Sequence, residues 1–202
     1  MKYPVVEIFE SIQGEGSWMG RPVTFIRLGG CNLSCPWCDT DFSKFWAIMD
    51  VSEIVAACGY RDVVITGGEP TIHNLRDLLI GLKTYVVTPS GVRMRQIAIE
   101  TNGTHSLAGY QNLLDWIVCS PKPQSKWDMV EGVYPDEIKY VVDKDWTPDK
   151  IPASILQEYH GRIWLQPEAS EMEVRWKEAL KYCLENDAFR VGCQLHKFMN
   201  VR

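Results

Sequence analysis

Val23-Thr24-Phe25-Ile26-Arg27-Leu28-Gly29-Gly30-Cys31-Asn32-Leu33-Ser34-Cys35-Pro36-Trp37-Cys38 passes from a β-rich run, through two glycines, into three closely spaced cysteines. The first six residues predict a strand that stops at Gly29. Outward from it the pattern recurs. Ser52 to Cys58 predicts a short helix closed by Gly59, and Asp62 to Thr66 a buried strand ending at Gly67-Gly68. Leu75, Leu78, Leu79 and Leu82 share one helical face. Further strands are expected at Gln96–Glu100, Trp116–Cys119, Ile138–Val142, Arg162–Gln166 and Arg190–Leu195. The strongest helix spans Glu171 to Leu184, with Ser170 and Glu173 as a capping box and Met172, Trp176, Ala179, Leu180 and Cys183 on one face.

Strands alternating with helices imply parallel βαβ units. About six or seven mostly parallel strands in 202 residues fit an α/β fold of the partial, open TIM-like (β/α) barrel type. A closed eightfold barrel takes about 250 residues. No Pro/Gly/Ser-rich linker divides residues 1–202, so a single domain is expected.

Composition narrows the classes. Eight Trp, eight Tyr and six Phe among 46% hydrophobic residues exclude a disordered chain. No apolar run reaches the roughly 18 residues of a membrane span, and the opening Met1–Glu7 has no signal-like stretch. A cytoplasmic protein without a membrane partner is expected. A net charge of -5 with scattered Lys and Arg argues against bulk nucleic-acid binding. Seven cysteines, an odd count, do not form a disulfide framework. Cys58, Cys119, Cys183 and Cys193 lie apart in apolar segments and read as small buried hydrophobes.

The trio Cys31, Cys35 and Cys38 has the spacing C-x3-C-x2-C. Thiolates are soft ligands for iron–sulfur clusters or zinc. Three of them can hold three irons of a cube and leave the fourth open. A structural zinc site takes four ligands, commonly in paired groups, and no second pair follows here. Other polar or glycine-rich strand ends gather on the same rim: Thr66-Gly67-Gly68-Glu69, Glu100-Thr101-Asn102-Gly103, Ser120-Pro121-Lys122 and Gln166-Pro167-Glu168. The carboxyl edge is where such folds carry their chemistry. Gly67-Gly68 permits a close backbone approach, and Glu69 can accept from a ligand amine. Gly14-Glu15-Gly16 is no dinucleotide fingerprint, because Gly20 misses the required spacing.

The trio, with Trp37 before its last cysteine, resembles the radical S-adenosylmethionine (SAM) superfamily, and Thr66–Pro70 resembles its GGEP-like segment. That likeness alone fits other members, such as an enzyme that activates glycyl radicals, and a non-catalytic zinc module is the alternative of another class. The opening Glu7–Gly16, Phe25–Asn32, Cys38-Asp39-Thr40, Ser120-Pro121-Lys122 and Gln194–Asn200 together resemble the 7-carboxy-7-deazaguanine synthase family over nearly the whole chain.

The resemblance implies a [4Fe–4S] cluster on Cys31, Cys35 and Cys38, SAM, and Mg²⁺ on Thr40. It implies conversion of 6-carboxy-5,6,7,8-tetrahydropterin to 7-carboxy-7-deazaguanine with loss of ammonia, in 7-deazapurine biosynthesis. Ile12, Gln13, Gly14, Glu15, Arg27, Thr66, His196 and Arg202 would meet the substrate, Glu15 and Arg27 being the candidate catalytic pair. Trp37, Cys38, Asp39, Gly68, Glu69, Glu100, Ser120, Pro121, Lys122, Gln166 and Pro167 would line the SAM site. It further implies an external electron donor and a homodimer. Asp41–Val51 is short beside family members with insertions after the cluster, and Arg202 stands where relatives often carry a small residue or Pro.

Overall fold

The computed structural model describes residues 1–38, 47–59 and 61–202. Its strands are β1 (Lys2–Ile12), β2 (Pro22–Leu28), β3 (Ala47–Asp50), β4 (Asp62–Gly67), β5 (Tyr85–Thr88), β6 (Gly91–Met94), β7 (Ile97–Thr101), β8 (Trp116–Cys119), β9 (Glu137–Val142), β10 (Ile163–Pro167) and β11 (Phe189–Val191). The helices are α1 (Val51–Ala57), α2 (Arg76–Leu82), α3 (Ala153–Glu158), α4 (Met172–Glu185) and α5 (Leu195–Phe198).

Nine strands form one sheet in the order β11-β10-β9-β8-β7-β4-β2-β1-β3. From β2 to β11 the seven strands are parallel and follow chain order, the winding of a barrel; β11 and β2 do not pair, so it stays open. The expected class is therefore correct. The backbone between β11 and α5 partly bridges the gap, with the Leu195 N–H donating to the Gly14 carbonyl at 2.9 Å.

Strand periodicity divides the sheet into two faces. Ile26, Leu28, Val63, Ile65, Ile97 and Ile99 point outward into a core with α1 and α2. Ile138, Tyr140, Val142, Ile163 and Leu165 do the same beside α3 and α4. Inside the barrel, Val23, Phe25, Val64 and Ala98 pack with Trp18 as an apolar floor. One step further along the same strands, at the carboxyl edge, the inward residues become polar: Arg27, Thr66 and Glu100.

Several expectations need correction. The opening segment, in which Glu7–Gly16 is expected to precede the first strand, contains a strand of its own, β1, antiparallel to β2. A bulge at its start and interleaved polar residues hide the period. The β5–β6 hairpin was not anticipated; Tyr85, Val87, Val92 and Met94 are exposed and Val86 alone of its apolar residues is buried, too little for a readable period. The crossings from β7 to β8 and from β8 to β9 contain no α-helix. The last strand ends at Val191, and Leu195 instead begins α5. Ser170 does not cap α4: its hydroxyl and N–H both donate to the Glu168 carboxylate. Leu180 is exposed, and Cys183 and Cys193 are only half-buried. Among the described residues no helix is long and apolar enough to cross a membrane.

Candidate active site

The cysteine loop leaves β2 through Gly30, whose φ of +84° suits glycine. Three ties fix it over the barrel mouth. Asn32 donates to Thr104 Oγ1 at 2.8 Å and accepts from Asn102 Nδ2 at 3.0 Å, anchoring it to the end of β7. Gln124 donates to the Ser34 carbonyl at 3.1 Å. Trp37 Nε1 donates to Asp143 Oδ2 at 2.8 Å, beyond β9. Cys31, Cys35 and Cys38 are all free of disulfides, and all line a cavity of about 270 Å³. Burial pushes the Cys31 and Cys35 thiols up, and the Lys122 ammonium opposes this at Cys35.

The turn after β4 faces that loop. A Cβ on Gly68 would lie 1.9 Å from the Gly30 carbonyl oxygen and 3.0 Å from Cys31 Cβ. Only glycine permits this approach. Glu69 follows, fully buried, and its carboxylate accepts from Thr71 N–H, Thr71 Oγ1, Thr101 Oγ1 and Asn102 N–H. It clamps the β4 and β7 ends together while lining the cavity. Lys122 lies half-buried, donating to Ser120 Oγ at 2.6 Å beside the Trp37 ring; loss of solvent, aided by Lys139, lowers it to about 8.

The opposite wall comes from the loop after β1. Glu15 pairs with Lys139 of β9 and accepts from Gln194 Nε2 at 2.7 Å. Burial alone would raise the Glu15 carboxyl, but the Lys139 ammonium and these hydrogen bonds outweigh it and hold it below the usual carboxylate range. Burial would lower Lys139, yet Glu15 and Glu100 raise it above its ordinary value. Gln13 Nε2 donates to Glu100 Oε1 at 3.0 Å, and Thr66 Oγ1 donates to Glu100 Oε2 at 3.1 Å. The His196 ring sits against Gly14, where a Cβ would meet Nδ1 at 2.0 Å. Arg27 Nε lies 2.9 Å from Glu7 Oε1.

One cavity thus brings together Ile12, Gln13, Glu15, Arg27, Thr66, His196 and Arg202 with Cys31, Cys35, Trp37, Cys38, Gly68, Glu69, Glu100, Ser120, Lys122, Gln166 and Pro167. Gly14 stands behind the wall under His196, and Pro121 is buried outside the lining. Asp39 and Thr40 lie outside the described residues. Sequence reading missed Lys139, Gln194, Phe9, Phe25 and Glu7. Lys139 carried a signal: a lone charge inside the run Ile138-Lys139-Tyr140-Val141-Val142. Glu7 and Gln194 fall inside the stretches that carry the family resemblance, but neither residue type nor spacing marks them as site residues.

The donor set suits a cluster. A cube takes each thiolate on a different iron, and Gly68, with no side chain, lets the turn after β4 pack directly against Gly30 and Cys31. This is the architecture of a radical SAM enzyme.

No family model matches the chain. It is 34% identical to the 7-carboxy-7-deazaguanine synthase of Synechocystis sp., covering 100% of this chain and 95% of that one. It is 30% identical to that of Escherichia coli K12 over the full length of both. A crystal structure of QueE from Escherichia coli superposes with a TM-score of 0.72 at 28% identity, covering 97% of this chain and 95% of the other. The chain belongs to the 7-carboxy-7-deazaguanine synthase family. That membership sets aside the glycyl-radical activating enzyme and the zinc module.

Proposed function

We propose that the cavity converts 6-carboxy-5,6,7,8-tetrahydropterin to 7-carboxy-7-deazaguanine with loss of ammonia. The observation that carries this reading is the common cavity, with three thiols at one end and a Gln13–Glu15–Arg27–Thr66–His196 wall at the other. Cys31, Cys35 and Cys38 would hold a [4Fe–4S] cluster, with SAM between it and the turn at Gly68 and Ser120–Lys122. Together, when bound, these supply a hydrogen-abstracting radical. Mg²⁺ on Thr40, an external electron donor and a homodimer belong to the same reading.

The chain's own groups bind and orient. Lys139 keeps Glu15 a carboxylate, an acceptor-only group suited to the N–H edge of a pterin. Arg27 can take a carboxylate through its guanidinium fork. Phe9 and Phe25, stacked with centroids 5.2 Å apart, form an apolar side that excludes water from a planar ligand. Elimination of ammonia accounts for every atom lost from substrate to product, with no net oxidation, so no redox partner is consumed stoichiometrically by the rearrangement itself.

The test is an anaerobic turnover assay with reconstituted protein, SAM, Mg²⁺, a low-potential reductant and the carboxytetrahydropterin. Formation of 7-carboxy-7-deazaguanine is expected. Cleavage of SAM with no deazaguanine product would overturn the substrate assignment.

A further inference from the structure

Glu137 is 2% exposed and lies outside the cavity lining, a buried carboxylate that the proposed chemistry does not use. It opens β9, and strand alternation puts it on the inner face with Lys139, nearer the amino end of the strand. Its Oε2 accepts from three donors: Ser17 N–H at 2.9 Å, Ser17 Oγ at 2.6 Å and Trp164 Nε1 of β10 at 2.8 Å. Its Oε1 lies against the next residue back, where a Cβ on Gly16 would stand only 2.1 Å away. Gly16 also has a φ of +62°, so two separate constraints call for glycine there.

These contacts fall on the loop that carries Gln13 and Glu15. Residues 13–21 join β1 to β2 and are closed at the neck by Gln13 N–H to the Arg21 carbonyl and Gly20 N–H to the Gln13 carbonyl, both 2.8 Å. Trp18 holds the far side of the loop in the apolar floor. Glu137 grips the backbone between Trp18 and Glu15. β9 therefore holds this loop twice, through its backbone at Glu137 and through the Glu15 carboxylate at Lys139. The ion pair fixes the end of the Glu15 side chain, and the clamp fixes where that side chain begins.

We propose that Glu137 is a positioning residue: it clamps Gly16–Ser17 against β9 and so aims the Glu15 carboxylate into the cavity. The inference rests on the pterin reading above and extends the working set of that site to a residue outside the cavity.

The experiment compares two replacements. Leu keeps roughly the volume of Glu137 and has no acceptor, whereas Gln keeps one carbonyl oxygen that can take the place of Oε2. Holo-protein, reconstituted anaerobically with its cluster and SAM, is dialysed to equilibrium against 6-carboxypterin. Glu137→Leu should bind it about tenfold more weakly than wild type, and Glu137→Gln should stay within about threefold of wild type. Both changes remove the same charge, so a difference between them reports the acceptor oxygen and not the electric field. In a Glu15→Ala background Glu137→Leu should cost less than about threefold, because no carboxylate is left to aim. The Ser17 amide, followed by hydrogen–deuterium exchange without 6-carboxypterin, should exchange at least about tenfold faster in Glu137→Leu. Ser17→Ala, at an exposed position where folding is not at stake, should lose about threefold in affinity in the wild-type background and nothing measurable in Glu15→Ala.

An unchanged Ser17 exchange rate, an equal loss in Glu137→Leu and Glu137→Gln, or an equal loss in both backgrounds would overturn the proposal. So would unchanged 6-carboxypterin affinity in Glu137→Leu. If Glu137→Leu does not fold, Ser17→Ala decides by the same comparison of backgrounds. Wild type that binds no 6-carboxypterin overturns the pterin reading, and the clamp then stands or falls on the Ser17 exchange rate.

Discussion

Glu15 and Lys139 lie 124 residues apart in the chain yet form a half-buried ion pair across the mouth of the barrel. Glu15 comes from the loop that closes β1, and Lys139 from the inner face of β9. The pair joins the antiparallel extension to the parallel strands and sets the charge of the substrate wall. Its energetics decide two outcomes.

Lys139→Met should destabilise the protein by about 2–3 kcal/mol at neutral pH, because Glu15 is left half-buried without its counter-ion and with only Gln194 donating to it. The pH dependence should also change sign. In wild type the Glu15 pKa is lowered, so its contribution is present above the unfolded carboxylate value, about 4.3, and is lost as pH falls through the folded value. In the variant the raising effect of burial is no longer opposed by the ammonium, so stability should decline as pH rises above the unfolded carboxylate value. Urea unfolding at several pH values checks this. A variant with the wild-type profile would mean that Lys139 does not hold Glu15 ionised.

Glu15→Ala should cost less stability than Lys139→Met, since Lys139 keeps the nearby Glu100 and Glu137 carboxylates. Iron content and the visible absorbance of the reconstituted protein should match wild type. Binding of 6-carboxypterin should weaken at least tenfold, roughly the loss of one charge-assisted hydrogen bond. Loss of the cluster together with the ligand would instead place Glu15 in the framework of the fold.

Cys35→Ala should abolish cluster assembly and every measurable turnover, because two thiolates cannot hold a cube with three anchored irons. Cys35 lies on a half-buried loop outside the hydrophobic cores, so thermal unfolding of the unloaded protein should move by less than about 1 kcal/mol. Iron and sulfide analysis, with SAM cleavage measured alongside, provides the check. Retained SAM cleavage would overturn the assignment of Cys35 as a ligand.

The parallel strands were legible because both of their faces are buried, which leaves continuous apolar runs such as Asp62-Val63-Val64-Ile65-Thr66. The rim was legible for the same reason: each run ends abruptly in glycine or polar residues. What hid the rest was competition between local signals. Ser170 and Glu173 have capping-box spacing, but Glu168 lies closer and takes both Ser170 donors. Arg190–Leu195 alternates like a strand, yet a Cβ at Gly192 would meet Gln166 Oε1 at 2.7 Å, and the chain turns away towards Gly14. Neither residue type nor spacing marks Glu7 in one sequence, because its direction depends on a bulge that only the pairing with β2 defines.

Glu69→Gln separates two roles for one carboxylate. In the family resemblance Glu69 accepts from the SAM amine, whereas here it already accepts from Thr71 N–H at 3.0 Å, Thr71 Oγ1 at 2.6 Å, Thr101 Oγ1 at 2.7 Å and Asn102 N–H at 2.6 Å. An amide offers one oxygen, and its NH2 would confront at least one of those donors in a site only 1% exposed. Such a mismatch costs about 1–3 kcal/mol. In a chain of this length the melting temperature should fall by about 3–10 °C. Because Asn102 also holds Asn32, the cysteine loop should loosen and cluster reconstitution should drop in yield. Differential scanning calorimetry of the unloaded protein isolates the clamp from the ligand. An unchanged melting temperature with weakened SAM binding would show that the carboxylate serves the ligand alone, and that the β4 and β7 ends are held together by other bonds.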